Sequence, residues 1–423
     1  MTQPSPYPFI LHARVATRSQ TRLAGGAPEA DIITAVSGLK RGAELGRRSG
    51  KSGASAGARG DRSETSNVVT CADRMWAIFD KLRLIKSRAW NLDINRWDWS
   101  SGVGLWGVMR CHEVLGDARC LDFLVSWVEQ NMAGRVKGSV NHVLPAYIVE
   151  YLWRVQGDER YRKICDEYAE WCLDQATRTD NGGLAHVWPG GQDDYRHQLW
   201  VNSTFMAGMF MLRYGAELPN EALFDDGCRQ YQIHLESLYD AKIGLFFHGY
   251  HCQLRGPIGD YWGRGNGWMV ASLTEGLSWL PPDHSLRESA ERIFQATMQR
   301  ALSLKTADGR LRVMPLVDDA YPESTCSALF GFAALRGFRR GLLPRAFLDW
   351  GLQLSKTMGD LISEDGRVAN CSHSANPDSM EAYLQRPCEQ SLYADGIMLA
   401  FLAEAIIAIQ SSGKSAPVSA VSD

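Results

Sequence analysis

The chain reads as an all-α protein, a ring of six inner helices enclosed by six outer ones, that is, an (α/α)6 barrel. Three observations predict this. Helical periodicity runs from about residue 72 almost to the end, broken only by short turns rich in Gly, Pro, Asp and Asn. Two kinds of helix alternate, one apolar on nearly all sides and one with a single apolar stripe. Strand signals are few, the best being Gly244-Leu-Phe-Phe-His248, expected as a short hairpin in a rim loop.

The inner set comprises 103–115, 142–155, 203–214, 267–280, 324–337 and 391–409. Helices apolar all round must be buried. Their starts lie about 40 to 65 residues apart, room for one buried and one amphipathic helix per unit. The expected partners are 73–86, 118–132, 159–175, 221–238, 285–304 and 344–361. In 118–132 the residues Leu121, Leu124, Val125, Val128 and Met132 form one stripe, and Tyr161, Ile164, Cys165, Tyr168 and Cys172 repeat the pattern. Gly116-Asp117 and Gly157-Asp158 precede these two helices. Each Gly can close the helix before it in a left-handed conformation and each Asp can cap the next, as in an αα-hairpin.

Residues 1–70 are expected to be a disordered tail, because a stretch such as 47–59 has no periodicity and little to bury. The barrel is expected over 71–412, with 413–423 disordered. The apolar run Phe9-Ile10-Leu11 is too short for a secretory signal. No run of eighteen apolar residues appears, so no membrane span is expected. A formal net charge of −3 argues against a nucleic-acid partner. Ten scattered cysteines without a Cys-x-x-Cys pair give neither a disulfide framework nor a zinc site. They favour a reducing, cytoplasmic location.

Polar and aromatic residues collect just before each inner helix: Trp97-Asp98-Trp99, Ser139-Val-Asn141-His142, His197-Gln198-Leu-Trp200-Val-Asn202, Trp262-Gly-Arg264-Gly-Asn266-Gly-Trp268, Tyr321-Pro-Glu323-Ser324 and Glu389-Gln390-Ser391. If the inner helices run parallel, all six clusters meet at one mouth. Tryptophan faces with a few placed polar groups suit a sugar. Gly263-Arg-Gly-Asn-Gly267 follows an aromatic pair rather than a strand, which excludes a nucleotide loop. His248-Gly-Tyr-His251 lacks acidic neighbours, and no metal is assigned.

These segments carry a resemblance. Trp97-Asp-Trp-Ser-Ser-Gly102, Gly182-Gly-Leu-Ala-His186, Gln198-Leu-Trp-Val, 238–248, Trp262-Gly-Arg264-Gly-Asn-Gly-Trp268 and Tyr321-Pro-Glu-Ser-Thr-Cys-Ser-Ala328 occur in the same order as in the unsaturated rhamnogalacturonyl and glucuronyl hydrolases, glycoside hydrolase families 105 and 88. The chain from about 90 to 410 is similar to them, Arg-Gly-Asn-Gly-Trp being the most specific element. The resemblance implies a six-hairpin glycosidase barrel acting without cofactor on lyase-made oligosaccharides of the pectin or rhamnogalacturonan type. There an Asp protonates the C4=C5 bond of a terminal unsaturated uronic acid and helps water add at C5. By the same resemblance His186 and His248 lie near the uronate, Arg264 faces its carboxylate, and Trp97, Trp262 and Trp268 offer ring surfaces.

The chain departs from that pattern at the catalytic positions. Asn202 stands where the family has its acid/base Asp, and Asn141 where it has a second one. An amide cannot shuttle a proton near neutral pH. Asp98, Asp193 and Asp194 are the acids near enough in sequence to substitute. A sugar-binding homologue lacking catalysis and another (α/α)6 carbohydrate enzyme are the alternatives.

Overall fold

The computed structural model describes residues 58–412 apart from residue 219, with side chains from residue 70 onward. Twelve long helices alternate between two rings. The outer set is α1 (Ala58–Leu84), α3 (Ala118–Asn131), α5 (Glu159–Glu170), α7 (Glu221–Leu238), α9 (Ser285–Leu304) and α11 (Arg345–Asp360). The inner set is α2 (Trp99–Leu115), α4 (Leu144–Gln156), α6 (Met209–Glu217), α8 (Gly263–Gly276), α10 (Ser324–Arg339) and α13 (Leu392–Ser412). A short α12 (Met380–Leu384) lies in the last rim loop. Each inner helix packs on its neighbours in chain order, and α13 returns to pack on α2, which closes the ring.

The expected tail over 1–70 falls largely outside the described residues, as does 413–423. From Ala58 onward, however, the backbone is helical, so α1 begins well before the expected boundary. The two Gly-Asp turns form as expected. Gly116 and Gly157 sit at φ 61° and 71°, and the carboxylates of Asp117 and Asp158 accept from the backbone N–H of Arg119 and Arg160. The strand signal gives a hairpin of β2 (Tyr239–Asp240) and β3 (Leu245–Phe246). A three-stranded sheet was not foreseen: β1 (Gln198–Trp200), β4 (Gly249–His251) and β5 (Gly256–Ile258) pair antiparallel in the order β1-β4-β5.

Helix α13 is long and apolar enough to cross a membrane, but 94% of that stretch is buried inside the ring, which accounts for its composition. Its closure on α2 depends on two glycines. A Cβ on Gly396 would stand 1.9 Å from the Val103 carbonyl oxygen, and one on Gly107 would stand 2.2 Å from that of Gly396. The backbones touch there.

Well below the mouth, each inner helix contributes one buried charge, and the signs alternate around the ring: Arg110, Glu150, Arg213, Glu275, Arg336 and Glu404. Glu404 accepts from Arg110 at 2.6 Å and from Arg336 at 3.0 Å, and Arg336 reaches Glu275 at 2.5 Å. Arg213 pairs with Glu150 across α6 and α4. Arg339 adds a further bond to Glu404 at 3.0 Å. Buried charges persist only when paired in this way.

Candidate active site

The N-terminal ends of the inner helices enclose a cavity of about 640 Å³. Its wall is built from the segments before α2, α4, α6 and α8, together with two loops: Trp90, Arg96, Asp98, Trp99, Val136, Lys137, Asn141, His142, His186, Trp188, Pro189, Trp200, Asn202, Met206, Trp262, Arg264, Trp268 and Ser374, Ala375, Asn376. The last two inner helices reach the same end. Glu323 caps α10 beside Arg264, and Tyr393 in the first turn of α13 stacks on Trp99 with centroids 5.0 Å apart. The inner helices therefore do point one way.

Of the residues expected in the site, Asn141, Asn202, His186, Trp262, Arg264 and Trp268 come together on this wall. Trp97 does not. It is packed between Trp127 and Tyr168, centroids 5.4 and 5.9 Å away, and its indole N–H donates to the His142 carbonyl at 3.0 Å. Its neighbour Trp99 takes the wall position. His248 stands behind the wall, against Trp262 at 4.5 Å, with Nδ1 bonded to the Tyr383 hydroxyl at 2.7 Å. Asp194 is also off the wall, tied to His251 at 3.0 Å and to the Gln198 amide at 2.6 Å.

Arg264 is more committed than expected. The guanidinium lies between Trp262 and Tyr393, 4.6 and 5.0 Å from their ring centroids. It donates to Thr325 Oγ1, to Ser372 O and Oγ, and to His373 O at 2.7–3.1 Å. Glu323 lies 3.7 Å away and accepts from the Ser372 N–H at 2.9 Å. Arg264 and Glu323 thus grip both sides of the backbone leading into Ser374–Ala375–Asn376. The forked contact expected with a ligand carboxylate is made instead with the protein's own carbonyls.

Asn202 ends β1's continuation and starts a wide π-type turn, Thr204–Gly208, its carbonyl accepting from Phe205 and Met206. Such turns are frequent at functional sites. Asn141 lies in a 3₁₀ turn, with its N–H bonded to Ser139 Oγ. The amide oxygens of both are buried and have no partner in the protein, nor have His142 Nδ1 and His248 Nε2. His186 stacks flat on Trp200, 4.4 Å between centroids, with Nδ1 on Ser203 Oγ at 3.1 Å. Burial, with the nearby His234, pulls its pKa down to about 3, and burial likewise holds His248 well below the usual range. Both are neutral imidazoles.

Arg96 and Lys137 share the wall with one carboxylate, Asp98, while the third wall cation, Arg264, has the buried Glu323 3.7 Å away. Among the described residues no group of three His, Cys, Asp or Glu could hold a metal ion. Sequence reasoning missed Trp90, Trp188 and 374–376, which lie in loops without periodicity.

A barrel of six helical hairpins with an aromatic, cation-lined cavity at its mouth defines a carbohydrate-active protein of the six-hairpin class. Comparison with known proteins is specific. The model of Glycosyl Hydrolase Family 88 matches residues 71–408, and the chain belongs to that family. It is 28% identical over 345 residues to the unsaturated rhamnogalacturonyl hydrolase YesR of Bacillus subtilis, covering 81% of this chain and 97% of that one. It is 25% identical to an unsaturated 3S-rhamnoglycuronyl hydrolase of Formosa agariphila, covering 68% and 80%. Among solved structures it superposes on a possible member of the GH105 family from Salmonella enterica with a TM-score of 0.76 at 20% identity, covering 80% and 93%. The unsaturated glucuronyl hydrolase of Bacillus sp. GL1 gives 0.64 at 15% identity, covering 80% and 95%. These two share the fold.

Proposed function

We propose that the chain hydrolyses oligosaccharides ending in an unsaturated uronic acid, such as those lyases release from pectin or rhamnogalacturonan, by hydrating the C4=C5 bond. The observation that carries this reading is the wall: Arg96 and Lys137 beside the single carboxylate Asp98, with Arg264 balanced by Glu323, among six tryptophans, suited to a flat anionic sugar. Water adds at C5, the hemiketal opens, and the attached sugar leaves. The partly exposed Trp90, Trp99 and Trp188 offer ring surfaces, and the free amide groups of Asn141 and Asn202 can bond to sugar hydroxyls. Arg264 shapes the wall while its charge favours the uronate. Ten free cysteines, nine of them buried, suit a reducing, cytoplasmic compartment.

The test is incubation of the purified protein with lyase-made oligosaccharides while the ultraviolet absorbance of the double bond is followed. Loss of absorbance with release of the neighbouring sugar supports the reading. Binding by calorimetry without loss of absorbance would establish the second reading, a sugar-binding homologue, which the amides at Asn141 and Asn202 favour. No binding at all would remove the wall from consideration.

A further inference from the structure

Hydration needs a group that gives a proton to C4 and takes one back from water, and few groups at the mouth can do so. Glu323 is fully buried, and its oxygens accept from the Cys326 and Ser372 N–H groups. Asp194 is tied to His251 and Gln198 away from the wall. His186 is stacked on Trp200 and bonded to Ser203. Asn141 and Asn202 do not titrate. A lysine ammonium, with an ordinary pKa of about 10.4, is poorly matched to both halves of the transfer, which sets Lys137 aside and leaves two neighbouring wall groups, Asp98 and His142.

We propose that Asp98 and His142 together form the proton-transferring pair of this site, a role that rests on the hydration reading above. Asp98 caps α2 through one oxygen, Oδ1, which accepts the Trp99 N–H at 2.8 Å. The other, Oδ2, has the half-exposed Arg96 at 3.7 Å, and Asp98 lines the cavity. The Trp97 indole between them holds the His142 carbonyl at 3.0 Å and so fixes the Asp98 segment against His142. His142 lies on the wall with Nδ1 buried and unpartnered in the protein. Burial lowers its pKa with help from the Arg96 charge, while the Asp98 charge and a hydrogen bond to the Lys137 backbone oppose that, so Asp98 and His142 share one electrostatic environment.

The step balances as follows. The pair gives one proton to C4, and the electron pair of the C4=C5 bond forms the new C–H bond. The ring oxygen supports the cation at C5. The oxygen of a water molecule bonds to C5 and its proton returns to the pair. The hemiketal opens to a ketone at C5, and C1 releases the attached sugar as an alcohol and becomes an aldehyde. One water is consumed, and the pair ends in its starting state.

The experiment uses the full chain with an unsaturated oligouronide. Asp98→Asn keeps the helix cap, because Asn caps as well as Asp, and removes only the titrating oxygen. Turnover should fall about 10²-fold or more, the usual loss for a positioned acid/base, with calorimetric affinity and melting temperature unchanged. Asp98→Ser, which also caps, should lose as much, and His142→Gln should lower turnover likewise. Wild-type turnover in Asp98→Asn overturns the pair while leaving the hydration reading intact. Normal turnover in His142→Gln with a dead Asp98→Asn overturns the pair in favour of the carboxylate alone. A wild type that binds but never consumes the double bond overturns both the pair and the hydration reading.

Discussion

Glu404→Gln should be the most damaging conservative substitution in the chain. Glu404 is 1% exposed and receives Arg110 at 2.6 Å, Arg336 at 3.0 Å and Arg339 at 3.0 Å. Arg110 and Arg336 are themselves buried on α2 and α10. Glutamine keeps the shape and one acceptor oxygen, but it leaves buried guanidinium groups short of an anion. Removing one partner of a buried pair costs about 3–5 kcal/mol. Taking the lower end of the scaling for large domains, about 2 °C per kcal/mol, the melting temperature should fall by about 6–10 °C. The assay is thermal unfolding followed by circular dichroism, with Arg336→Gln and the double variant alongside. Both residues sit in one network, so the double variant should lose much less than the two single losses added. Additive losses, or a fall below about 2 °C for Glu404→Gln, would refute the network.

Other outcomes follow from the same geometry. Gly396→Ala should prevent normal closure of α13 on α2, since its Cβ would meet the Val103 carbonyl at 1.9 Å; a cost of about 3 kcal/mol or more is expected, read as a large drop in melting temperature or insoluble protein. Asn202→Asp, made in the Asp98→Asn background, should restore turnover by about 10²-fold if Asn202 lies beside the reacting carbons, and no rescue would place it elsewhere. Arg264→Lys should lower stability as well as affinity for the acidic sugar, because Lys cannot reproduce the carbonyl bonds or the stacking between Trp262 and Tyr393; loss of affinity alone would make Arg264 a simple ligand. Acid should destabilise the floor: against the desolvation of burial, Arg336 and Arg110 hold Glu275 at about 2, so its contribution is present above its ordinary 4.5 and lost as pH falls towards 2. Asp395 works the other way. Burial raises it to about 6 although Lys81 opposes this, so its contribution is full below 3.8 and is lost as pH rises through 6. Melting temperatures of Glu275→Gln and Asp395→Asn across this range separate the two.

Most of the scaffold was legible because its signals are local. An inner helix must be apolar on every face, and a Gly-Asp pair turns and caps within a few residues. The six clusters before the inner helices likewise point to one mouth. Legibility ended where a role depends on rotation or on distant partners. Trp97 and Trp99 are two residues apart, yet one is locked between Trp127 and Tyr168 and the other faces the cavity. Arg264 reads as a cation for a ligand until Ser372 and His373, more than a hundred residues later, turn out to hold it. The charge ring was invisible for a similar reason. One Arg or Glu in an apolar helix looks like an isolated blemish, and only the closed ring shows that opposite signs alternate.

The two ends of the ring treat buried polarity in opposite ways, and this separates holding the barrel from using it. At the floor, Glu150, Glu275 and Glu404 each belong to an ion pair with an Arg of a neighbouring inner helix. At the mouth, Asn141 Oδ1, Asn202 Oδ1, His142 Nδ1 and His248 Nε2 are buried with nothing in the protein to bond. An unsatisfied buried group costs about 1–3 kcal/mol, and a sequence seeking stability alone would have placed apolar groups there. Three of them, on Asn141, Asn202 and His142, belong to residues that line one cavity, a standing cost that a hydroxyl-bearing ligand can relieve. Hence a polar sugar should stabilise this protein more than its few direct charges suggest. Replacing Asn141 or Asn202 with Leu should do the reverse of a usual core mutation, raising the melting temperature of the free protein while lowering its affinity for the sugar. A fall in both would mean that the amides serve the fold, and the distinction between the two ends would fail.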